Sequence, residues 1–411
     1  MTARGLSLDR PPSVTVRLTN SAERWVRKEH PWLYAESIRS QSREGAAGDL
    51  AVIFDRHRKL LALGLFDPDS PIRIRVLHRG SPRPIDREFF AERLRDAAAL
   101  RAHLPAEDTT GYRIANGESD GLPGLVVDRY ERTCVLKLYT AAWLPHLDEV
   151  LAAVTRELGP ERVVLRLARS IAGACEERAG LRDGDVLAGA PLDGPIVFRE
   201  LGLALRCDPA RGQKTGFFLD QRENRARVGA RAAGKSVLDA FAYTGGFSLH
   251  AARGGAARVL SLDASLIALD EARANFARNR DVPAVARCAH EVAHGDAFDE
   301  LARLRDARRR FDLVVLDPPA LAHRKEDVAG ALRAYARLGE LGSSLLGRGA
   351  ELVAASCSAR VDADALAAAL HAGAARAGRR LSELERHAHA SDHPARFPES
   401  AYLKSLFFRV E

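Results

Sequence analysis

The first fifth of the chain alternates apolar and polar residues with a period of two, which is typical of β-strands with one buried face. Clusters rich in glycine, proline and aspartate separate these runs at 44–49 and 67–71. These residue types tolerate the backbone angles of tight turns. Short strands at this spacing predict a small β-barrel over residues 13–82. The predicted strands are 14–18, 50–54 and 72–77.

A helical pattern opens the next segment, because apolar residues recur every three or four positions over 86–103. Three short apolar runs, a second helical pattern at about 144–158 and a fourth apolar run follow. This mixed order predicts a small α+β middle domain over 83–198. The predicted strands are 112–114, 125–128, 134–138 and 163–165.

From about residue 200 the pattern changes to strands that alternate with helices, which is the order that builds a parallel α/β sheet. We therefore predict a Rossmann-like α/β domain over 199–411. Its predicted strands are 236–239, 259–263, 311–317 and 351–356. Its predicted helices include 226–233, 265–279, 327–346 and 363–380.

The composition is that of a water-soluble globular chain, with 46% hydrophobic and 28% charged residues. No apolar run approaches the roughly 20 residues of a membrane span, and the start does not resemble a signal peptide. These observations predict a cytoplasmic protein that does not bind membranes. Residues 1–80 carry 14 basic and 9 acidic side chains of a chain whose net charge is +7, which favours nucleic-acid contact near the N-terminus. A coding bias toward arginine is the alternative explanation for this excess of basic residues.

The five cysteines are scattered and contain no Cys-x-x-Cys pair, so we expect no disulfide framework, no zinc site and no other metal site. They are Cys134, Cys175, Cys207, Cys288 and Cys357.

Acidic residues stand at the ends of predicted strands, where an open parallel sheet binds its ligand. Asp239 is followed by a turn with Gly245 and Gly246, whose spacing does not match the G-x-G-x-x-G of a dinucleotide site. A glycine turn without a pyrophosphate cradle suits S-adenosylmethionine. Asp263 is placed to bond ribose hydroxyls, and Asp296 to bond an adenine amino group. Each of these aspartates also fits a helix N-cap or a turn.

Asp317-Pro318-Pro319 ends the next predicted strand, and two prolines give a rigid wall against which a flat base can lie. This motif also fits methylation of an exocyclic amine of adenine or guanine. Enzymes of that kind usually have an aromatic residue next, whereas Ala320 stands here. A plain strand-ending turn is the structural alternative.

Cys357, in Ser356-Cys357-Ser358, follows the last predicted strand, so its thiol is expected to face the same cleft as Asp317. A thiolate that adds to carbon-6 of cytosine makes carbon-5 nucleophilic enough to accept a methyl group. Taken alone, a cysteine at a strand end is more often a small buried apolar residue.

Several motifs together resemble the bacterial 23S rRNA cytosine-5 methyltransferase family known as RlmI, along most of the chain. The most specific is Asp220-Gln221-Arg222 within 214–225. The others are 239–247, Asp317-Pro318-Pro319, His30-Pro31-Trp32, 117–124, Asp392-His393-Pro394 and Tyr402-Leu403-Lys404.

The resemblance implies an N-terminal PUA domain, a small middle domain and a class I methyltransferase domain that uses S-adenosylmethionine on 23S rRNA. It implies Cys357 as the nucleophile, with Asp317 or water as the base that removes the carbon-5 proton. No DNA partner is expected, and the sequence leaves a homodimer open. The implied cofactor-binding residues are Asp220, Gln221, Arg222, Asp239, Phe241, Gly245, Gly246, Asp263, Asp296 and Asp317.

Some residues of these motifs are expected to be structural. His30 and His393 each precede a proline, which favours a locked turn, and Trp32 is expected in the core. Arg222 has an ion pair with Glu223 as its alternative to a ligand contact. Ala320 and Leu321 stand where the family usually has a lysine and an aromatic residue, at positions that the resemblance places near the target nucleotide. An RNA-binding assembly factor with a vestigial cofactor fold is the non-enzymatic alternative.

Overall fold

The computed structural model describes residues 12–322 and 324–411. The expectation that the chain has no signal peptide rests on the first 11 residues, which lie outside the described residues. Within the described part, no helix is long and apolar enough to span a membrane.

The N-terminal segment forms one six-stranded sheet in the order β2-β6-β5-β4-β1-β3. Alternation builds it, since Val14, Val16 and Leu18 of the first strand are buried while the residues between them are exposed. All three strands predicted here are confirmed. The elements are β1 (Ser13–Leu18), α1 (Asn20–Arg27), β2 (Trp32–Tyr34), β3 (Ile38–Gln41), β4 (Leu50–Phe54), β5 (Leu60–Phe66) and β6 (Ile72–Arg79).

The middle segment forms a five-stranded sheet in the order β11-β10-β9-β8-β7, in which only β9 and β10 run parallel. Phe90 and Trp143 pack edge to face in its core. The predicted helices and strands are confirmed, whereas α4 and β11 lie where no element was predicted. The elements are α2 (Arg87–Ala99), β7 (Gly111–Asn116), β8 (Leu125–Tyr130), β9 (Thr133–Leu138), α3 (Leu147–Leu158), β10 (Arg162–Leu167), α4 (Ala172–Ala179) and β11 (Val186–Gly189).

The C-terminal segment builds a seven-stranded sheet in the order β16-β15-β14-β17-β18-β20-β19. The first five strands are parallel, and β20 runs antiparallel to both of its neighbours. Strand order reverses at β14, so a ligand is expected at the carboxyl ends of β14 and its neighbours. The strands are β14 (Ser236–Ala240), β15 (Arg258–Asp263), β16 (Ala289–His294), β17 (Phe311–Leu316), β18 (Leu346–Ser356), β19 (Leu381–His387) and β20 (Lys404–Val410).

Helices separate these strands, as the alternating pattern predicted. They are α5 (Arg222–Ala230), α6 (Gly246–Arg253), α7 (Leu266–Arg278), α8 (Pro283–Arg287), α9 (Ala297–Asp306), α10 (Val328–Ser344) and α11 (Ala363–Arg376). A separate two-stranded sheet consists of β12 (Ile196–Glu200) and β13 (Leu203–Cys207). Short 3₁₀ helices lie at Ala35–Ser37, Leu104–Glu107, Gly117–Asp120, Ala141–His146, Leu219–Gln221, Lys325–Asp327 and Pro398–Ser400.

The chain forms two compact units. The first unit runs from the start of the described chain to Phe198 and includes Cys207–Phe218 and Asp392–Phe397. The second unit comprises Arg199–Arg206, Leu219–Ser391 and Pro398–Glu411. The six- and five-stranded sheets thus belong to one unit, and the seven-stranded sheet belongs to the other. The three-domain division at 13–82, 83–198 and 199–411 stays a proposal.

Candidate active site in the second unit

Asp239 is a fully buried carboxyl near the end of β14. Its Oδ2 accepts hydrogen bonds from the backbone N (2.9 Å) and the Oγ (2.7 Å) of Ser248 in α6. Among the described residues, its Oδ1 has no hydrogen-bond partner. The pKa of Asp239 is raised to about 7, chiefly by burial; the two hydrogen bonds from Ser248 lower it, and the charges of Asp317 and Asp263 raise it. A buried carboxyl oxygen without a partner is what a bound donor or cation would complete.

The turn after β14 has a backbone that few residue types adopt. Phe241, Tyr243 and Gly245 all have positive φ angles, of 65°, 49° and 78°. A Cβ atom on Gly245 would lie 2.8 Å from the Cβ of Ala272, so glycine is required there by conformation and by space. Gly245 caps α6, whose first residue is Gly246, and the turn therefore ends at a helix N-terminus.

The next two predicted aspartates differ in their surroundings. Asp263 ends β15, and its Oδ2 accepts from the backbone N of Tyr243 at 2.8 Å, which ties the turn to this strand. Asp296 is exposed and caps α9, accepting from the backbone N of Phe298 at 2.8 Å. In this structure Asp296 therefore has the contacts of a helix N-cap, which was the alternative to adenine binding.

Asp220, Gln221 and Arg222 are buried just before and at the start of α5. Asp220 Oδ2 accepts a hydrogen bond of 2.6 Å from the Tyr402 hydroxyl. Arg222 Nη2 lies 3.5 Å from Glu223 Oε1, the ion pair that the sequence offered as the alternative role. These residues are held by the C-terminal part of the second unit.

Asp317 follows β17 directly, and its backbone N donates to the carbonyl of Ala240 at the end of β14 (3.4 Å). The loop after the two prolines is anchored, because the backbone N atoms of Leu321 and Ala322 both donate to Ser358 Oγ at 3.1 and 3.2 Å. This anchoring joins the Asp-Pro-Pro loop to the segment that carries Cys357.

Cys357 follows β18, the parallel neighbour of β17, and is partly exposed. The serines on either side of it are buried and bonded: Ser356 Oγ accepts from the Tyr335 hydroxyl at 2.7 Å and from the backbone N of Ser358 at 3.2 Å. The charges of both Cys357 and Asp317 act on Tyr335, which places the thiol and the carboxylate at one end of neighbouring strands.

The other described cysteines have surroundings that disfavour a thiolate. Cys134, Cys175 and Cys207 are buried, and burial raises the pKa of Cys134 to about 12. Cys288 is partly exposed like Cys357, yet desolvation raises its pKa to about 11. Each of the five cysteines has a free thiol in this structure.

Three functional candidates were not assigned a role from the sequence: Ser248, Tyr335 and Lys404. No sequence pattern gave Ser248 or Tyr335 a role, and only their hydrogen bonds in the structure identify them as candidates. Lys404 stands in a motif that the sequence analysis quoted, but its position opposite Ser356 follows from the antiparallel pairing of β18 and β20.

In the first unit, the remaining motifs come together as a structural cluster. Trp32 is half-buried, and its Nε1 donates to Glu118 Oε1 at 2.8 Å. His30 Nδ1 accepts from the backbone N of Trp32 (3.2 Å), which is the expected locked turn. His393 is buried, and its Nδ1 bonds the neighbouring Asp392 at 2.9 Å. These residues hold loops of the first unit in place.

Comparisons with known proteins agree with this architecture. A family model described as S-adenosylmethionine-dependent methyltransferase matches residues 178–409, and one described as a PUA-like domain matches residues 16–79. A ribosomal RNA large subunit methyltransferase of Deinococcus radiodurans is 48% identical over 408 residues, covering 97% of this chain and 98% of the relative. Ribosomal RNA large subunit methyltransferase I of Shewanella amazonensis is 36% identical, with 97% and 100% covered.

The solved structures show the same fold. The crystal structure of SMU.776 complexed with SAH superposes with a TM-score of 0.82 at 20% sequence identity, covering 96% of this chain and 100% of that one. The predicted fold class, a Rossmann-like domain preceded by a PUA-like domain, is thereby confirmed.

Proposed function

The chain belongs to the S-adenosylmethionine-dependent methyltransferases, in the family of the ribosomal RNA large subunit methyltransferases, and we propose that it methylates carbon-5 of a cytidine in 23S rRNA. The observation that carries the proposal is the placement of Cys357 and Asp317 after neighbouring parallel strands, next to the end of β14. A nucleophile and a base are thus available at the edge of the sheet where the cofactor is expected.

The residues at this edge fit S-adenosylmethionine. When bound, it supplies a methyl group on a positively charged sulfur. The unpartnered Oδ1 of Asp239 offers an acceptor to a cationic or hydrogen-donating group, and Asp263 retains acceptor capacity for ribose hydroxyls. The full proposed cofactor set is Asp220, Gln221, Arg222, Asp239, Phe241, Gly245, Gly246, Asp263, Asp296 and Asp317.

Cys357 performs the difficult part of the proposed reaction. Its thiolate Sγ bonds to carbon-6 of the cytosine, and the electrons of the carbon-5/carbon-6 double bond become available at carbon-5. Carbon-5 would then form a bond to the methyl carbon of the cofactor, while the bond between that carbon and the positively charged sulfur would break and leave a neutral thioether. Asp317 accepts the carbon-5 proton, the carbon–sulfur bond breaks, and the thiolate and the aromatic ring are restored. The cytosine has to be unstacked for this, because its ring atoms are inaccessible inside a helix.

RNA is the proposed partner of the whole chain. The basic N-terminal segment and the PUA-like match support this role for the first unit, which has Arg24 and Lys28 among its exposed charges. Arginine and lysine bind phosphate without reading sequence, so this unit would supply affinity while the second unit supplies chemistry.

The decisive experiment compares methylated nucleosides in 23S rRNA from a strain that lacks the gene and is complemented with variants. We expect wild type and Cys288→Ala to restore one 5-methylcytidine, and Cys357→Ala to restore none. Cys288→Ala is a matched control because that thiol is also partly exposed. Nucleoside mass spectrometry measures the product.

Other outcomes would replace the proposal. If Cys357→Ala restored 5-methylcytidine, the covalent route would be wrong. If the deletion removed an N-methylated purine instead, the exocyclic-amine chemistry of Asp317-Pro318-Pro319 would take its place. If the purified chain failed to bind S-adenosylmethionine in calorimetry, a non-enzymatic role in assembly would be favoured.

A further inference from the structure

Lys404 holds a fixed position beside Cys357. It begins β20 and lies opposite Ser356 in the antiparallel pairing with β18. Its Nζ donates to the carbonyl of Ser358 at 2.6 Å and to the carbonyl of Tyr402 at 2.8 Å. Two carbonyls on different segments therefore fix the ammonium group next to the residue that follows Cys357.

The side chain of Lys404 is half-buried at this position. The chain has only seven lysines among 62 basic residues, and a half-buried ammonium loses hydration that two carbonyls replace only in part. Desolvation lowers the pKa of Lys404, while the charge of Cys357 raises it together with that of Asp362. A positive charge beside a thiol favours the thiolate form, because opposite charges stabilise each other.

We propose that Lys404 is a positioning residue that keeps a positive charge beside Cys357 and thereby favours its thiolate form. The inference rests on the proposed function, in which that thiolate attacks the base. Lysine suits this role because its charge is compact, whereas a guanidinium spreads its charge over a plane. Among the described residues, Tyr335 on α10 interacts with the charges of Cys357 and Asp317, and Asp362 interacts with Lys404; none of these three partners supplies a positive charge.

The test measures thiol reactivity in the full chain without RNA or cofactor. Iodoacetamide alkylates only the thiolate: a carbon–sulfur bond forms and iodide leaves. The alkylation rate of the Cys357 peptide is followed by mass spectrometry from pH 6 to pH 10 (on the order of one measurement per half pH unit) for wild type, Lys404→Met and Lys404→Arg. Lys235→Met is the control, because that lysine precedes β14 at the opposite end of the sheet.

We expect Lys404→Met to move the midpoint of the profile upward by about one pH unit, so that alkylation at pH 7 slows about tenfold. Lys404→Arg should keep most of the wild-type profile because it keeps the charge, and Lys235→Met should match wild type. A profile of Lys404→Met identical to that of wild type would overturn the inference, as would an equal loss in Lys404→Arg.

The result is separable from the proposed function. If Lys404→Met shifts the alkylation profile while Cys357→Ala retains methyl transfer, the charge effect stands and the covalent mechanism falls. If Lys404→Met leaves the profile unchanged while Cys357→Ala abolishes 5-methylcytidine, the mechanism stands and the role of Lys404 falls.

Discussion

At the scale of single residues, the candidate site contains aspartates that have the same side chain but different surroundings. Asp239 is buried with one oxygen unpartnered, Asp263 is tied to the glycine turn, and Asp296 caps a helix. The three aspartates stand at equivalent places in the sequence, but Asp239 is fully buried, and burial is the main cause that raises its pKa to about 7. Among them, Asp239 is therefore the residue whose ionisation cofactor binding would change most.

Asp239→Asn tests this dependence on pH. The pKa of about 7 in the folded chain lies above the ordinary value of 3.8. Between these pH values the folded chain retains a proton that the unfolded chain has lost, so the contribution of Asp239 to stability falls as the pH rises from about 4 to about 7. We expect the difference in apparent Tm between Asp239→Asn and wild type to grow over this range in favour of the variant.

The affinity for the cofactor should increase with pH over the range in which the stabilising contribution of Asp239 decreases. A positively charged ligand prefers the ionised carboxylate, so the affinity of wild type for S-adenosylmethionine should increase as the pH rises through about 7, and that of Asp239→Asn should be lower and flat. Calorimetric titrations at pH 6 and pH 8 (roughly one unit either side of the expected midpoint) measure it. An equal slope for both proteins would show that another group controls the affinity.

At the scale of elements, the turn between β14 and α6 combines three positive φ angles within five residues. Its three positive φ angles orient the helix N-terminus and the backbone beside Asp239. The positive φ angles of Phe241 and Tyr243 are unfavourable for residues with side chains, and such a backbone persists only where the surrounding structure determines it. At Gly245 the space is restricted, because an added Cβ would lie 2.8 Å from the Cβ of Ala272 on α7.

Gly245→Ala should therefore destabilise the second unit by about 1–3 kcal/mol and weaken cofactor binding. Gly234→Ala is a matched control, because Gly234 has a similar positive φ of 71° but an added Cβ would meet no atom within 4 Å. Thermal unfolding and calorimetry measure both effects. Equal losses of stability in the two variants would mean that the close contact with α7 contributes nothing beyond backbone strain.

At the scale of the whole molecule, the proposal divides RNA binding and chemistry between the two units. Charge reversal on the first unit should weaken binding to 23S rRNA and leave S-adenosylmethionine affinity unchanged. We expect Arg24→Glu with Lys28→Glu to lower RNA affinity about tenfold at moderate salt, and to reduce the salt dependence. Arg280→Glu with Arg287→Glu, two exposed arginines of the second unit, is the control in filter binding.

If the control pair weakened RNA binding as much as the first pair, net charge and not the first unit would be responsible. Retained affinity in the first pair would place the RNA contacts elsewhere.

The sequence by itself determined the principal strands of the three larger sheets and the cofactor class, and it proposed Cys357 as the nucleophile. The sequence shows these features because they are local patterns, formed by residues that are close together in the chain. They are the period-two alternation, the alternation of strands and helices, and the glycine turn after Asp239. The sequence did not predict α4, β11 or the antiparallel strands β19 and β20, whose order in the sheet follows from long-range pairing.

Only the tertiary structure decided which equivalent residues share a site. Burial distinguishes Asp239 from Asp296. The pairing of β18 with β20 brings Lys404 close to Cys357, and Lys404 bonds the carbonyl of Ser358, which lies 46 positions earlier in the chain. The physical reason is that hydrogen bonds, desolvation and charge interactions depend on distance in space. A motif specifies which group is present, whereas its protonation and its partners are set by what the folded chain packs around it.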